Sequence, residues 1–302
     1  MSHRREVWTR AVAGALEAHA VAVEQMAPGH WTFAPVAPHT LHVSAQVAGE
    51  WLLFDAPLPA HVSRTLDPGW EALTANPFLT GGLKLCTAGG DRSLRLRAEL
   101  PLLEDVPVAP RVQHVCAGLA AATAWMTTGQ LDDTPPDPVA TDDFEAADFD
   151  LQQRCRDTQW PVTLREPNTV MVQLDVPGAF QQAVVEMQPG CGVTICVPVL
   201  AEVPRPPVCK AAVARLLLAT IGAVRMVRAA VGVSPDAAAF EVVLSHVPTV
   251  EELAHAFAAL SLAWCNAGRE AEVLARDERI ARLYVDDDVR QRSGAVFESS
   301  TT

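Results

Sequence analysis

The sequence predicts an α+β protein of two tandem domains, each an antiparallel sheet of about five strands with helices packed mainly on one face. Three observations support this prediction. A segment of alternating apolar residues occurs in both halves, an amphipathic helix of identical phase follows it in both halves, and an acidic, proline-rich stretch separates the two copies. Internal repetition of this kind indicates duplicated structural units.

Length and composition suit two domains. The chain has 302 residues, 49% hydrophobic and 20% charged, and a domain typically takes about 150 residues. Acidic residues outnumber Lys plus Arg by 36 to 23, for a formal charge of −13. Such a chain repels phosphate backbones, so no nucleic-acid partner is expected. Seven cysteines without a C-x-x-C pair predict neither a disulfide framework nor a zinc knuckle, which favours a reducing cytoplasm.

The first element is predicted to be an amphipathic helix. Apolar side chains recur at helical spacing over residues 7–23, and Glu17 and His19 interrupt the run, unlike in a signal peptide. The longest other apolar run, residues 211–233, contains three arginines, which are unfavourable at the centre of a bilayer. No membrane partner is therefore expected.

The first repeated block is a strand that enters a turn. Residues 40–51 align without gaps on residues 169–180, and apolar side chains alternate in both. A glycine then precedes an aromatic residue, Trp51 in the first copy and Phe180 in the second. Alternation with period two is typical of a half-buried strand. The two segments are therefore expected to superpose.

The second repeated block is an amphipathic helix that begins after Val-Pro. Residues 112–123 and 253–264 carry apolar side chains in the same i, i+3, i+4, i+7 phase, and His114 aligns with His255. Because both histidines lie at the polar edge of the predicted helices, a structural role is favoured over a paired catalytic one.

Each copy is therefore predicted to run helix, three-stranded meander, helix, two strands, helix. Residues 223–231 fit either a longer helix or a strand, and this ambiguity stays open. Residues 269–285 predict a further helix without a counterpart after the first copy, which either caps the sheet or lies in a groove. The expected boundaries are a first domain at 1–130, a linker at 131–148, a second domain at 149–285 and a tail at 286–302.

The linker prediction depends on composition. Residues 131–150 contain eight acids, three prolines and no Lys or Arg. Prolines remove backbone donors and favour extended conformations. A solvated tether is favoured over a metal site, because no histidine accompanies the acids.

This order of elements resembles the class I type III secretion chaperones and the related YbjN-like sensory-regulator proteins. The resemblance covers nearly the whole chain as two copies, and it rests on the element order, the acidic charge and the strand-to-helix junctions at residues 100–119 and 240–260. It implies a protein that holds a stretch of a client protein as a small acidic dimer. Two copies in one chain then imply a monomeric pseudo-dimer, with a homodimer as the alternative.

Motifs for catalysis are missing from the sequence. Neither G-x-S-x-G nor a phosphate-binding loop occurs, and Gly81-Gly82 is interpreted as a turn. Cys191, between two glycines, fits hairpin chemistry better than a nucleophile. His39 and His42 would point to opposite faces of a strand. The chain is therefore expected to be no enzyme and to need no metal or cofactor.

The function predicted from the sequence is non-catalytic binding of an extended or helical segment of another protein. Leu52 and Phe54 place apolar bulk on one side of a strand, and Trp51 and Leu53 place it on the other side. Phe180 and Met187 occupy the second meander. Trp51, Leu53, Phe180 and Met187 are the predicted protein-binding residues, since binding surfaces favour aromatic residues and methionine. The alternative is a regulatory or sensory domain of the same fold that binds a small ligand or acts within an assembly.

Overall fold

A computed structural model describes residues 3–37, 41–66, 69–88, 93–104, 106–128, 150–166, 168–188, 192–232 and 238–298. The first half consists of α1 (His3–His19), β1 (Val21–Ala27), β2 (His30–Ala34), β3 (Val43–Ala48), β4 (Trp51–Pro57), α2 (Ala60–Thr65), α3 (Trp70–Ala75), a 3-10 turn (Asn76–Phe78), β5 (Lys84–Ala88), β6 (Ser93–Pro101) and α4 (Val108–Thr128).

The second half repeats this order. It consists of α5 (Leu151–Asp157), β7 (Val162–Glu166), β8 (Thr169–Leu174), β9 (Gln181–Gln188), β10 (Gly192–Leu200), α6 (Pro207–Ala223), β11 (Arg228–Val231), β12 (Ala238–Leu244), α7 (Val250–Arg276) and α8 (Glu278–Glu298). Most of the acidic segment, Cys191, His39 and residues 299–302 lie outside the described residues, so the predictions made for them stay predictions.

Both sheets are antiparallel and share one topology. Their strand orders are β1-β2-β3-β4-β6-β5 and β7-β8-β9-β10-β12-β11. The predicted α+β class with two sheets is confirmed, but each sheet has six strands because each meander has four. The missed strands, β1 and β7, are the outer edges. Their short, exposed sequences lack the alternation of a half-buried strand.

The two repeated blocks have different outcomes. Residues 112–123 lie in α4 and residues 253–264 in α7, which are equivalent helices. The strand alignment is wrong by one strand, since residues 40–51 include β3, third in its sheet, whereas residues 169–180 include β8, second in its sheet. Every strand of a meander shows the same period of two, so alternation identifies a strand but not its place.

The chain between α6 and β12 resolves the open assignment of residues 223–231. Helix α6 ends at Ala223, and Arg228–Val231 form β11. The predicted C-terminal helix is also revised: α7 continues to Arg276, and α8 then runs past the expected boundary at residue 285. Helix α8 packs on α6 and α7, where Arg215 and Asp288 pair at 3.1 Å.

Each sheet buries one face against its own helices. Along β4, Leu52, Phe54 and Ala56 are buried, while Trp51 and Leu53 point to the other face and are half-buried. Helix α1 packs on α4, and α7 lies across β8, β10 and β12. A Thr249–Glu252 capping box fixes the start of α7. Among the described residues, no helix is long and apolar enough to cross a membrane.

The two halves contact each other through equivalent elements. Helix α6 of the second half packs along β5 of the first, and α3 of the first half packs against β11 of the second. Strand β5, the inner edge of its sheet, is consequently buried. A Cβ on Gly222 would lie 2.0 Å from the carbonyl oxygen of Thr87, so only glycine permits this approach.

Candidate functional site

The four predicted binding residues do not form one surface. Phe180 is 65% exposed between β8 and β9. Met187 is partly buried and packs against the core. Leu53 lies on the outer face of β4, where it pairs with Gln46 on β3. Of the four, only Phe180 is broadly open to solvent.

Trp51 already has a partner within the chain. Its ring makes an edge contact with His255 of α7, with centroids 6.1 Å apart, and the Arg225 guanidinium lies 5.0 Å from the ring centroid. Both residues belong to the second half. Trp51 therefore contacts the other half of the chain. The sequence could not distinguish this role from client binding, because an interface between the halves and a client-binding surface both need an apolar residue on the outer face.

A buried ion pair lies at the junction between the halves. Lys84 Nζ on β5 is 2.8 Å from Glu99 on β6, and their side chains are only 1% and 6% exposed. Lys84 also donates to the carbonyl of Val224 at the end of α6, at 2.9 Å. Glu99 accepts a bond from the Met226 amide at 3.3 Å. The pair from the first half thus fixes the loop after α6 of the second half.

The second half has a corresponding ion pair, whose cation bonds to backbone carbonyls of the first half. Arg228 on β11 pairs with Glu241 on β12 at 2.9 Å and donates to the carbonyls of Asn76 and Leu79, at 3.1 and 3.0 Å. The Asn76 amide in turn donates to the Ala229 carbonyl at 2.7 Å. Buried polar groups from both halves therefore satisfy one another across the junction.

Two equivalent positions meet between the halves. In the helix alignment Arg111 of α4 corresponds to Glu252 of α7, and the two side chains pair at 3.4 Å. Arg111 also donates to the Pro101 carbonyl at 2.6 Å. Contact between equivalent positions is what a twofold relation produces near its axis. Equivalent positions of the two halves are thus in contact at the junction.

Glu252 is a fully buried carboxylate with several donors. His246 Nε2 lies 2.9 and 3.0 Å from its two oxygens, and the Thr249 amide donates at 3.1 Å. Burial by itself would raise the pKa of Glu252, but the hydrogen bond and charge of His246, with Arg111 and Thr249, hold this pKa below its ordinary value. Glu252 is therefore ionised at neutral pH.

A cleft opens beside this cluster, and we refer to it as the junction cleft. Its cavity volume is about 40 Å³. Its polar lining comes from both halves and consists of Glu99, Arg111, His114, Ser245 and His246, with Met226 beside them. Burial, together with the charge of His246, lowers the pKa of His114, which favours the neutral imidazole.

The outer face of the second sheet carries a row of apolar side chains across four strands. Register pairs Leu164 with Met171, Met171 with Val184, and Val184 with Cys196. Leu164 is 42% exposed and the other three are half-buried. We refer to these four residues as the apolar row. In the sequence, the row corresponds to apolar residues at the outward-facing alternate positions of successive strands, and this pattern could have indicated it.

The same row in the first sheet is polar. The equivalent register runs Glu24, Thr32, Ser44 and Asp55. Burial opposes ionisation of Asp55, but hydrogen bonds and charges from Arg95 and Arg97 hold its pKa below the ordinary value. The outer sheet faces of the two halves therefore differ in chemistry along this row.

The remaining reactive groups are largely buried. Burial raises the pKa of the thiols of Cys86, Cys116, Cys155 and Cys196 to about 12. These four thiols stay protonated at neutral pH and are poor nucleophiles. Within the described residues, no group of three or more His, Cys, Asp and Glu side chains is placed to hold a metal ion.

Comparison with models of known protein families, with curated proteins and with solved structures finds no match for this chain.

Proposed function

We propose that this protein is a non-catalytic binding protein that holds a segment of another protein on the outer face of its second sheet. The apolar row is the observation that carries the proposal. Its four side chains present a continuous apolar stripe that crosses three strand spacings, about 14 Å, and polar residues flank it on the same face. Apolar stripes rimmed by polar residues are typical of protein-binding sites.

The chemistry of the expected partner follows from the surroundings of the row. Glu186, on β9 next to Val184, is exposed on the same face, and the whole chain has a formal charge of −13. We therefore expect an apolar segment flanked by basic residues. Such charges would increase the rate of association and orient the bound segment.

The contrast between the two halves supports this division of roles. In the first half the corresponding row is polar, and Trp51 is engaged by Arg225 and His255. One half then serves as a scaffold and the other as the binding face. The resemblance to type III secretion chaperones, which hold stretches of client proteins, supports a polypeptide ligand and a cytoplasmic location.

A second candidate function is regulatory binding of a small ligand, as in a sensory domain of the same fold. The junction cleft favours it, because ligand pockets occur preferentially between domains.

Site-specific photocrosslinking in the native host tests the main proposal. A benzoylphenylalanine at position 184 should give a discrete adduct, and mass spectrometry should identify the crosslinked segment. The same probe at Gln46, an exposed position on the outer face of the first sheet, is the matched control. We expect an adduct with an apolar, basic segment from position 184 only.

A synthetic peptide of the crosslinked segment then allows a quantitative test. Val184→Lys should weaken peptide binding by about tenfold or more, since it places a charge on an apolar contact. Gln46→Lys should leave binding unchanged. Equal adducts from both positions, or a Val184→Lys affinity equal to that of the unmodified protein, would show that the apolar row is not the binding face.

A further inference from the structure

We propose that the segment held on the apolar row is an amphipathic helix with a basic edge, which crosses the strands of the second sheet and reaches Phe78 of the first half. Such a helix is a specific form of the partner proposed above, so the inference rests on the proposed function. Four features of the outer face support it: the spacing of the apolar row, the edge strand beside it, the charges along one side of it and the aromatic residue near its inner end.

The direction and spacing of the row favour a helix. The row runs across the strands, from Leu164 on β7 to Cys196 on β10, with about 4.8 Å between neighbouring strands. A helix lying along the row returns a side chain to the same face about every 5.4 Å, whereas an extended segment does so only about every 6.7 Å. The row covers about 14 Å, compared with about 16 Å for three helical turns and about 20 Å for three extended repeats. Helical side chains therefore match the row more closely.

The alternative is an extended segment that adds to the sheet at its outer edge, and β7 is poorly suited to this. Strand β7 has five residues, and an irregularity interrupts its pairing between Val162 and Leu164. Pro161 and Pro167 flank it in the sequence. Short strands, bulges and prolines protect sheet edges from strand addition. A segment paired with β7 would also run along the strands and leave the β9 and β10 end of the row uncovered.

Negative charge lies along one side of the row. In the neighbouring register, Glu166 pairs with Thr169 and Thr169 with Glu186. Both glutamates are exposed, and neither forms an ion pair within the part of the chain that the structure describes. The register on the other side is neutral, since Gln173 pairs with Gln182. A helix with Lys or Arg along one edge would place these cations beside the two glutamates, and this asymmetry would orient it on the row.

The first half contributes an exposed aromatic side chain near the inner end of the row. The same register continues from Cys196 to Glu241 and from Glu241 to Arg228. Arg228 donates to two carbonyls at the 3-10 turn Asn76–Phe78, so this turn lies over the outer face at the β11 end of the sheet. Phe78 is 47% exposed, and aromatic residues are frequent anchors at protein interfaces. A helix of about 16 residues spans the five strand spacings from β7 to β11.

A pair of synthetic peptides tests the conformation. Both have about 18 residues and the same composition of leucine, lysine, alanine and glutamine. Leucine recurs at i, i+3, i+4 and i+7 in the helical-period peptide and at alternate positions in the strand-period peptide. Fluorescence anisotropy measures their binding to the full chain. We expect the helical-period peptide to bind about tenfold or more tightly than its isomer and to gain helical circular dichroism on binding.

The charge of the helical-period peptide tests the basic edge. Replacing its lysines by glutamates should reduce affinity by about tenfold or more, because like charges would then face Glu166 and Glu186. Equal affinity of the acidic and basic peptides would contradict the charge assignment.

Three protein variants locate the bound peptide. Val184→Lys should weaken binding of the helical-period peptide by about tenfold or more. Phe78→Ser should weaken it by about tenfold, the effect of losing an aromatic anchor. Phe180→Ser removes an aromatic side chain of 65% exposure from the turn between β8 and β9 and should leave affinity unchanged. Thermal melts establish that all three variants fold.

Each contrary result has a distinct meaning. If Val184→Lys weakens binding but the strand-period peptide binds as tightly as its isomer, the row is a binding face and the helix is overturned. Full affinity in Val184→Lys would overturn both the helix and the proposed function. Full affinity in Phe78→Ser, or an equal loss in Phe180→Ser, would show that the helix does not reach the first half.

Discussion

Lys84 and Arg228 are the first residues of equivalent strands, and each donates to backbone carbonyls that follow a helix of the opposite half. Lys84 reaches Val224 after α6, and Arg228 reaches Asn76 and Leu79 after α3. Cations at the end of a helix are favourable because the last carbonyls lack partners within the helix. The two contacts therefore join the halves reciprocally.

Removing Lys84 should destabilise the protein strongly. Lys84→Ala leaves Glu99 buried without its cation, and breaking a buried pair from one side typically costs about 3 to 5 kcal/mol. The only other lysine in the chain, the half-buried Lys210, also contacts the opposite half, but it lies 5.7 Å from the centroid of the Trp70 ring and has no ion pair in the described residues. Lys210→Ala should therefore cost only about 0.5 to 1 kcal/mol. Urea unfolding of both variants measures the difference, and equal losses would contradict the junction role of Lys84.

Two helical glycines should respond to alanine in opposite directions. In Gly222→Ala the new Cβ collides with the Thr87 carbonyl, and such overpacking typically costs about 1 to 3 kcal/mol. In Gly14→Ala of α1 the new Cβ meets nothing within 4 Å, so we expect a gain of about 0.5 to 1 kcal/mol from helix propensity. Thermal and urea unfolding measure both. If Gly222→Ala were more stable than the unmodified protein, α6 and β5 would have to lie farther apart than they do in this structure.

Protonation of His114 should make the folded protein sensitive to mild acid. Its pKa is lowered in the folded state by burial and by His246, so the unfolded chain binds the proton more tightly. Stability is then lost as pH falls from about 6.5 through the lower folded pKa. The ionisation of Glu252, whose pKa lies below its ordinary value of 4.5, affects stability only at lower pH, outside this window.

The corresponding measurement compares urea unfolding at pH 7.5 and pH 5.5. His114→Asn should lose less free energy of unfolding between these two pH values than the unmodified protein. His61→Asn is the control, since His61 is exposed on α2. If both variants kept the full acid sensitivity, another group would be responsible for it.

Cutting the acidic segment should not separate the halves. A protease site is introduced within residues 131–148, and the cleaved protein is followed by analytical ultracentrifugation. If the segment were only a tether between independent domains, cleavage would release two folded pieces. The reciprocal bonds of Lys84 and Arg228 instead predict a nicked complex of unchanged mass. Adding Lys84→Ala should promote dissociation. Free halves at micromolar concentration without that substitution would contradict the observed junction.

The sequence predicted the fold class and the repeated helix, since both depend on local periodicity. It missed β1 and β7, because an exposed edge strand needs no apolar face. It placed residues 40–51 on residues 169–180, because the order of strands in a sheet depends on long-range pairing that the alternation of one segment does not encode.

The candidate sites were harder to predict for the same reason. Trp51 was predicted to be a protein-binding residue, but only the packing of α7 shows that His255 contacts its ring. The junction cleft combines Arg111 and His114 from one half with His246 from the other. Such a site becomes visible only when the arrangement of the halves is known, although the aligned positions of Arg111 and Glu252 already carried opposite charges.

That opposition has a consequence for assembly. In a symmetric dimer of either half, equivalent positions would place two arginines or two glutamates face to face in a buried position, where like charges repel strongly. Because both halves belong to one chain, the two positions are separate residues and can carry complementary charges. At this position each half is therefore suited to the other half and unsuited to a second copy of itself.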